Sequence, residues 1–162
     1  MQPKRHAFIV DQMLGRLAKW LRLMGYDTLY FNSISDRKLL KIAKEENRIL
    51  LTRDTRLMER REVKNRRIKA FLIGHDSLAL QLEQLGRDLH LSPQGSLPYC
   101  TLCNVPVEPV EKEKVREHVP PYVFETQTNF ARCPSCGRLY WRGTHWQHIQ
   151  EDLIRIFKSG AS

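Results

Sequence analysis

Cysteine is absent from the first 99 residues and occurs only at positions 100, 103, 133 and 136. That distribution excludes a disulfide framework through the amino-terminal part and removes a cysteine nucleophile from it. Long apolar runs are missing too: no stretch approaches the ~20 residues needed to cross a bilayer. The opening segment MQPKRHAFIVDQMLGRL places basic residues before apolar ones, but Asp11 and Arg16 interrupt it, so a signal peptide is not expected. Repeats and low-complexity tracts are also lacking. What is present, 41% hydrophobic and 28% charged residues in 162, is the composition of a folded soluble chain. Its length suits one domain of roughly 100 residues with a small appendage, and a cytoplasmic location is expected.

Acidic residues are the scarcer charge, 18 against 27 Lys and Arg, and the imbalance is uneven. Residues 1–95 carry 19 basic and 11 acidic side chains, a difference of 8, whereas residues 96–162 carry 8 and 7, a difference of 1. The densest stretch is RDTRLMERREVKNRRIK, with Arg53, Arg56, Arg60, Arg61, Lys64, Arg66, Arg67 and Lys69. Such a field attracts a polyanion and makes its binding salt-dependent. A solvated basic face without a partner has the same composition.

Strand and helix signals alternate through the first part. HAFIVD reads as a strand ending at Asp11, and QMLGRLAKWLRLMG as a helix with Leu14, Leu17, Ala18, Leu21 and Met24 inward, Arg16, Lys19 and Arg22 outward, and Gly25 as its left-handed stop. DTLYFN is the next strand. Ser35 caps the helix DRKLLKIAKEEN, and RILLT is a strongly apolar strand. RDTRLMERREV reads as one short helix, IKAFLIG as a strand and SLALQLEQLGRDL as a helix. This alternation predicts an α/β domain over 1–95 with a mostly parallel sheet covered by helices on both faces. HLSPQGSLPY is the hinge to a second unit, 96–162, in which prolines 106, 109, 120 and 121 allow short strands only, and HWQHIQEDLIRIF is a closing helix with Trp146, Ile149, Leu153 and Ile156 or Phe157 on its apolar side.

In an open α/β sheet, ligands gather at the carboxyl ends of the strands. Asp11 ends the first strand, Asp36 opens the helix after the second, Asp54 follows the third and Asp76 the fourth, so all belong to one rim. Asp27 precedes the second strand and belongs to the opposite rim. Carboxylates also favour helix starts and turns for their own sake, but four in one cleft repel one another unless cations compensate. Mg²⁺ or Mn²⁺ held by Asp11, Asp36 and Asp54, with Asp76 completing or orienting the shell, would activate a water toward a phosphodiester. Asn32 and Thr52 are polar residues of the same rim, placed to contact phosphate or to support the acids. Arg53, Arg56, Arg60 and Arg61 are placed to hold the substrate's phosphates, although Arg53 could equally neutralise a carboxylate. An acidic centre in a basic surround is a nuclease pattern.

Cys100 and Cys103 form one C-x2-C pair, Cys133 and Cys136 the other. Each pair turns two thiolates toward one ion, and four thiolates close a tetrahedral Zn²⁺ site with no position left for catalysis, so the zinc is expected to be structural. Tyr140, Trp141 and Trp146 are available to pack over that module or to stack on unpaired bases.

The segments FIVDQMLGRLAKWLRLMGYDT, SDRKLLKIAKEENRILLTRD, CTLC and CPSCGRLYWRGTHW resemble the PIN-like ribonucleases of the mut-seven C-terminal family, and the likeness runs through nearly the whole chain. It implies a PIN-like α/β fold, metal-dependent ribonuclease activity and a carboxyl-terminal zinc ribbon. The family's acidic positions fall on Asp11, Asp36 and Asp54, with Asp76 the loosest match. RNA, single-stranded or structured, is the implied partner. The same features leave open an inactive RNA-binding adaptor, a toxin-like module held by a protein partner, and a homo-oligomer.

Overall fold

The protein's fold is described by a computed structural model over residues 6–91, 98–141, 151–152 and 154–156. Strands β1 (Phe8–Val10), β2 (Thr28–Tyr30), β3 (Ile49–Thr52) and β4 (Ala70–Leu72) form a wholly parallel sheet in the order β2-β1-β3-β4. Every residue of β1 and β3 is buried, which explains the unbroken apolar runs Phe8–Val10 and Ile49–Leu51: central parallel strands are covered on both faces.

The covering helices are α1 (Gly15–Leu23), α2 (Asp36–Glu45), α3 (Thr55–Met58), α4 (Arg61–Lys64) and α5 (Leu78–Leu89). Phe8, Val10 and Leu51 pack on Leu17, Leu21, Leu82 and Leu85 of α1 and α5, while Ile9 and Leu50 pack on Leu39, Leu40, Ala43 and Leu57 of α2 and α3. The period-two alternation of the strands thus serves two separate cores. Ser35 and Ser77 cap α2 and α5 by accepting from the N–H groups of Lys38 and Leu80, and Gly25, at φ 93°, ends the turn after α1.

Two expectations are corrected. The helix expected over 53–63 is broken into α3 and α4, with Arg60 extended between them. Leu57 and Val63 both reach the same core, yet six residues apart they fall on different sides of a continuous helix; the break turns Val63 back inward. Arg22, expected to point outward, is 7% exposed. Its guanidinium donates to the carbonyls of Thr28 and Thr101 at 2.9 and 2.7 Å, so it is an anchor between the two units.

The second unit holds an antiparallel sheet of β5 (Glu108–Val110), β6 (Phe130–Arg132) and β7 (Leu139–Trp141), and a short helix α6 (Pro121–Thr126). Its small core is Val115, Val119, Val123 and Phe130, with Trp141 against it. Short strands are therefore as expected, with Pro109 inside β5 and Pro121 opening α6, where no N–H is required. Helical residues at 151–152 and 154–156 bring Ile156 against the core of the first unit. The hinge residues 92–97 and the expected apolar positions Trp146, Ile149, Leu153 and Phe157 lie outside the described residues. Among the described residues no helix is long and apolar enough to cross a membrane.

Candidate active site and four-cysteine cluster

Because all four strands run the same way, their carboxyl ends share one rim. β1 leads into α1 on one face of the sheet and β3 into α3 on the other, so their outgoing chains diverge at a switch point between the two central strands. Asp11 and Asp54 stand at its two sides. Val10 pairs with Leu51 in the parallel register, which sets Asp11 level with Thr52, and the Asp11 N–H donates to the Leu51 carbonyl at 2.9 Å.

Thr52 ties the two acids together. Fully buried, it donates its hydroxyl to Asp11 Oδ2 at 2.8 Å and accepts the Asp54 N–H at 2.9 Å. Of the two roles its sequence position allowed, support of the acids is the one its geometry serves, since a fully buried hydroxyl presents no surface to a phosphate. Asp11 is itself 8% exposed, and its other oxygen accepts the Gln12 N–H at 2.7 Å. Asp54 Oδ1 caps α3 by accepting from Arg56; its Oδ2 has no partner among the described residues. Asp36, the first residue of α2, is exposed on the same rim.

Asp76 also reaches this rim, but its carboxylate is ion-paired to Arg53 and its side chain is 89% exposed. Arg53 accordingly neutralises an acid. Arg56, Arg60 and Arg61 are exposed on or beside α3 and α4, and Asn32 is exposed in the loop after β2. Among the described residues the carboxylates of this rim form no group of three drawn together as closely as a metal cluster; the acids stand along an open rim.

A brace beneath Asp11 had no sequence signal. The Tyr30 hydroxyl donates to the Gln12 carbonyl at 2.8 Å, and its ring lies over Gly15, where a Cβ would stand 3.0 Å from the hydroxyl oxygen. A side chain there would require the ring to give by a few tenths of an ångström, so glycine suits the turn that presents Asp11.

In the second unit Cys100, Cys103, Cys133 and Cys136 bring their sulfurs within 4.8 Å of one another. Sulfurs bound at about 2.3 Å to a tetrahedral zinc lie about 3.8 Å apart, and Cys100 and Cys136 are 3.7 Å apart. The donor set therefore fits zinc. Both loops repeat one backbone pattern. Asn104 and Gly137 donate to the carbonyls of Cys100 and Cys133, both at 2.9 Å, and these cysteines donate to the carbonyls of Val105 and Arg138 at 2.8 and 2.9 Å. The Ser135 and Cys136 N–H groups point at the Cys133 sulfur at 3.4 Å. Burial pushes the Cys100 thiol up, but hydrogen bonds from the Tyr140 hydroxyl, from the backbone at Cys103 and Leu102 and from Cys133 outweigh it and hold the group at about 6. Tyr140 is thus a support of the cluster, and Trp141 packs on Phe130.

Each loop needs a left-handed residue after its second cysteine: Asn104 at φ 55° in one, Gly137 at φ 81° in the other. The asparagine does more than turn the chain. Its amide donates to Asp27 at 2.7 Å and its oxygen accepts the Thr28 N–H at 2.8 Å. Asp27 also receives both terminal nitrogens of Arg48 at 2.8 and 3.2 Å. Burial would lower Arg48, but its bonds to Asp27 and Glu46 hold it above its ordinary value. Arg22, pulled down by burial, lies close enough to Cys100 and Cys103 to feel their charge. The four-cysteine unit is therefore docked at the rim opposite the acids. A comparison of CTLCN with CPSCG was the available sequence signal, because asparagine stands where the second loop has glycine.

Neither a curated protein nor a solved structure matches the chain. A family model described as the Mut7-C RNAse domain matches residues 6–153, spanning both the acidic rim and the four-cysteine cluster. The chain belongs to the Mut7-C RNAse domain family.

Proposed function

We propose that this protein is a metal-dependent ribonuclease whose active centre lies at the switch point between β1 and β3. The observation that carries the reading is the shared Thr52 hydroxyl, which fixes Asp11 and Asp54 to one another at the sheet's switch point. Membership of an RNase family supports RNA as the substrate.

The donor set suits Mg²⁺ or Mn²⁺. Asp11, Asp36 and Asp54 offer hard oxygens, and Asp54 Oδ2, without a partner among the described residues, and the exposed Asp36 carboxylate are available to complete a shell that still admits water and phosphate. A divalent ion held there would supply a water of lowered pKa and offset the charge of the reacting phosphate. The chain's own part is positioning. Thr52 and the Gln12 N–H fix Asp11, the start of α3 fixes Asp54, and Arg56 and Asn32 hold phosphates beside them. Asp76 acts through Arg53, setting where that guanidinium stands. Zinc on the four cysteines is structural.

The test is cleavage of end-labelled single-stranded RNA, and of matched DNA, with Mg²⁺, Mn²⁺ or EDTA. Cleavage should require the divalent ion and prefer RNA, and Asp11→Asn or Asp54→Asn should lower its rate at least about 100-fold with circular dichroism unchanged. Equal cleavage in EDTA, or full activity in both variants, contradicts the assignment. Tight RNA binding without cleavage by pure wild-type protein identifies an adaptor instead.

A further inference from the structure

The strongest feature outside the acidic rim and the four-cysteine unit is a groove between α2 and α4. It is lined by Arg37, Leu40, Lys41, Lys44 and Glu45 on one side and Arg60 and Glu62 on the other, with a volume of about 300 Å³. Arg37, Lys41 and Lys44 stand at the i, i+4 and i+7 positions of α2, so they form one stripe along the exposed side of that helix.

Two observations separate this groove from an ordinary solvated face. The first is that its cations are uncommitted. Glu45 and Glu62 lie in the same groove, and Lys64, Arg53 and Arg48 nearby are all ion-paired, yet Arg37, Lys41, Lys44 and Arg60 form no ion pair among the described residues. The groove keeps an excess of two positive charges, four cations against two carboxylates. The second is its position. Arg37 follows Asp36, so the stripe begins beside one of the acids and leads away from the rim. From Arg37 to Lys44 the helix rises about 10 Å, the length of about three nucleotides in a stacked strand.

We propose that this groove is the track along which a single RNA strand leaves the active centre, with Arg37, Lys41, Lys44 and Arg60 on its phosphates. This rests on the reading of the rim as a ribonuclease centre. Arg37, Lys41 and Lys44 lie outside the arginine-rich stretch 53–69 that the charge distribution marks. The groove's cations are ammonium and guanidinium groups with no aromatic ring among them, so contacts are to backbone phosphate and carry no base preference.

The experiment measures binding of a fluorescent 12-nucleotide RNA in EDTA, where cleavage is suppressed, across a salt series, for wild type, Lys41→Gln/Lys44→Gln and the control Lys19→Gln/Arg87→Gln. The control pair is exposed on α1 and α5, away from the groove. Each lost phosphate contact should reduce the slope of log affinity against log salt by about 0.7. The groove pair should therefore lose about 1.4 and bind on the order of tenfold more weakly at 0.1 M salt, with the control pair unchanged. Cleavage of a dinucleotide, too short to enter the groove, should match wild type in the groove pair. An equal loss in both pairs means a general positive field and overturns the track. An unchanged groove pair beside a tight, salt-sensitive wild type also overturns it and leaves the ribonuclease reading standing. Failure of wild type to bind or cleave RNA defeats both.

Discussion

Removing the Thr52 hydroxyl while keeping its shape is the sharpest perturbation of the acidic rim. Thr52→Val preserves the β-branched outline and the strand preference, so little packing is lost. Two hydrogen bonds disappear: one to the 8%-exposed Asp11 carboxylate at 2.8 Å and one from the Asp54 N–H at 2.9 Å. A bond to a charged group contributes about 1.5–3 kcal/mol and a neutral one about 0.5–1.5 kcal/mol, so the variant should lose about 2–4 kcal/mol. Solvent screening reduces this little, because Thr52 is fully buried. The two acids also lose their common tether, and an outer support of that kind is worth about 10–100-fold in metal affinity. Urea unfolding followed by circular dichroism reads the first quantity, and the Mg²⁺ concentration for half-maximal RNA cleavage reads the second. Thr52→Ser, which keeps the hydroxyl, should retain near-wild-type Mg²⁺ dependence. A Val variant within 0.5 kcal/mol of wild type (a loss below about one neutral bond) with an unchanged Mg²⁺ midpoint would refute the coupling of Asp11 and Asp54 through Thr52.

Three further outcomes are expected. Asn104→Gly keeps the left-handed turn but loses the bonds to Asp27 and Thr28, so it should cost about 2–4 kcal/mol; Asn104→Ala should cost about 1 kcal/mol more through backbone strain, and equal losses would show that conformation is not at issue. Gly15→Ala should push the Tyr30 ring aside by a few tenths of an ångström and weaken its bond to Gln12, and slow cleavage more than it lowers the melting temperature, whereas unaltered activity would remove the brace from the account. Cys133→Ser should abolish tightly held zinc in metal analysis. Zinc should also leave wild type as pH falls, because protons compete for the thiolates; zinc retained by the variant would place the metal elsewhere.

Much of the fold was legible because its signals are local. The centre of RILLT, Ile49 to Leu51, is an unbroken apolar run because β3 is covered on both faces, and Ser35 and Gly25 mark helix boundaries where backbone groups need them. The rim positions of Asp11 and Asp54 followed from strand order alone. What stayed hidden depends on partners distant in sequence. Arg22 looked like a surface cation because its partners are carbonyls, one of them 79 residues away. Asp27 was correctly assigned to the opposite rim, but its task there, holding Asn104 and Arg48, requires knowing where the four-cysteine unit docks. The ion pair that occupies Asp76 likewise depends on β3 and β4 being neighbours. The break between α3 and α4 eluded the pattern because charged residues dominate the stretch and leave only Leu57, Met58 and Val63 to set a phase.

The rim itself can be interrogated by anomalous diffraction from crystals soaked in Mn²⁺. Density for one or two manganese ions within coordinating reach of Asp11 and Asp54, and lost in Asp11→Asn, is the expected result. A rim without manganese, or manganese that persists there when both Asp11 and Asp54 are replaced by Asn, would contradict a carboxylate-held metal centre.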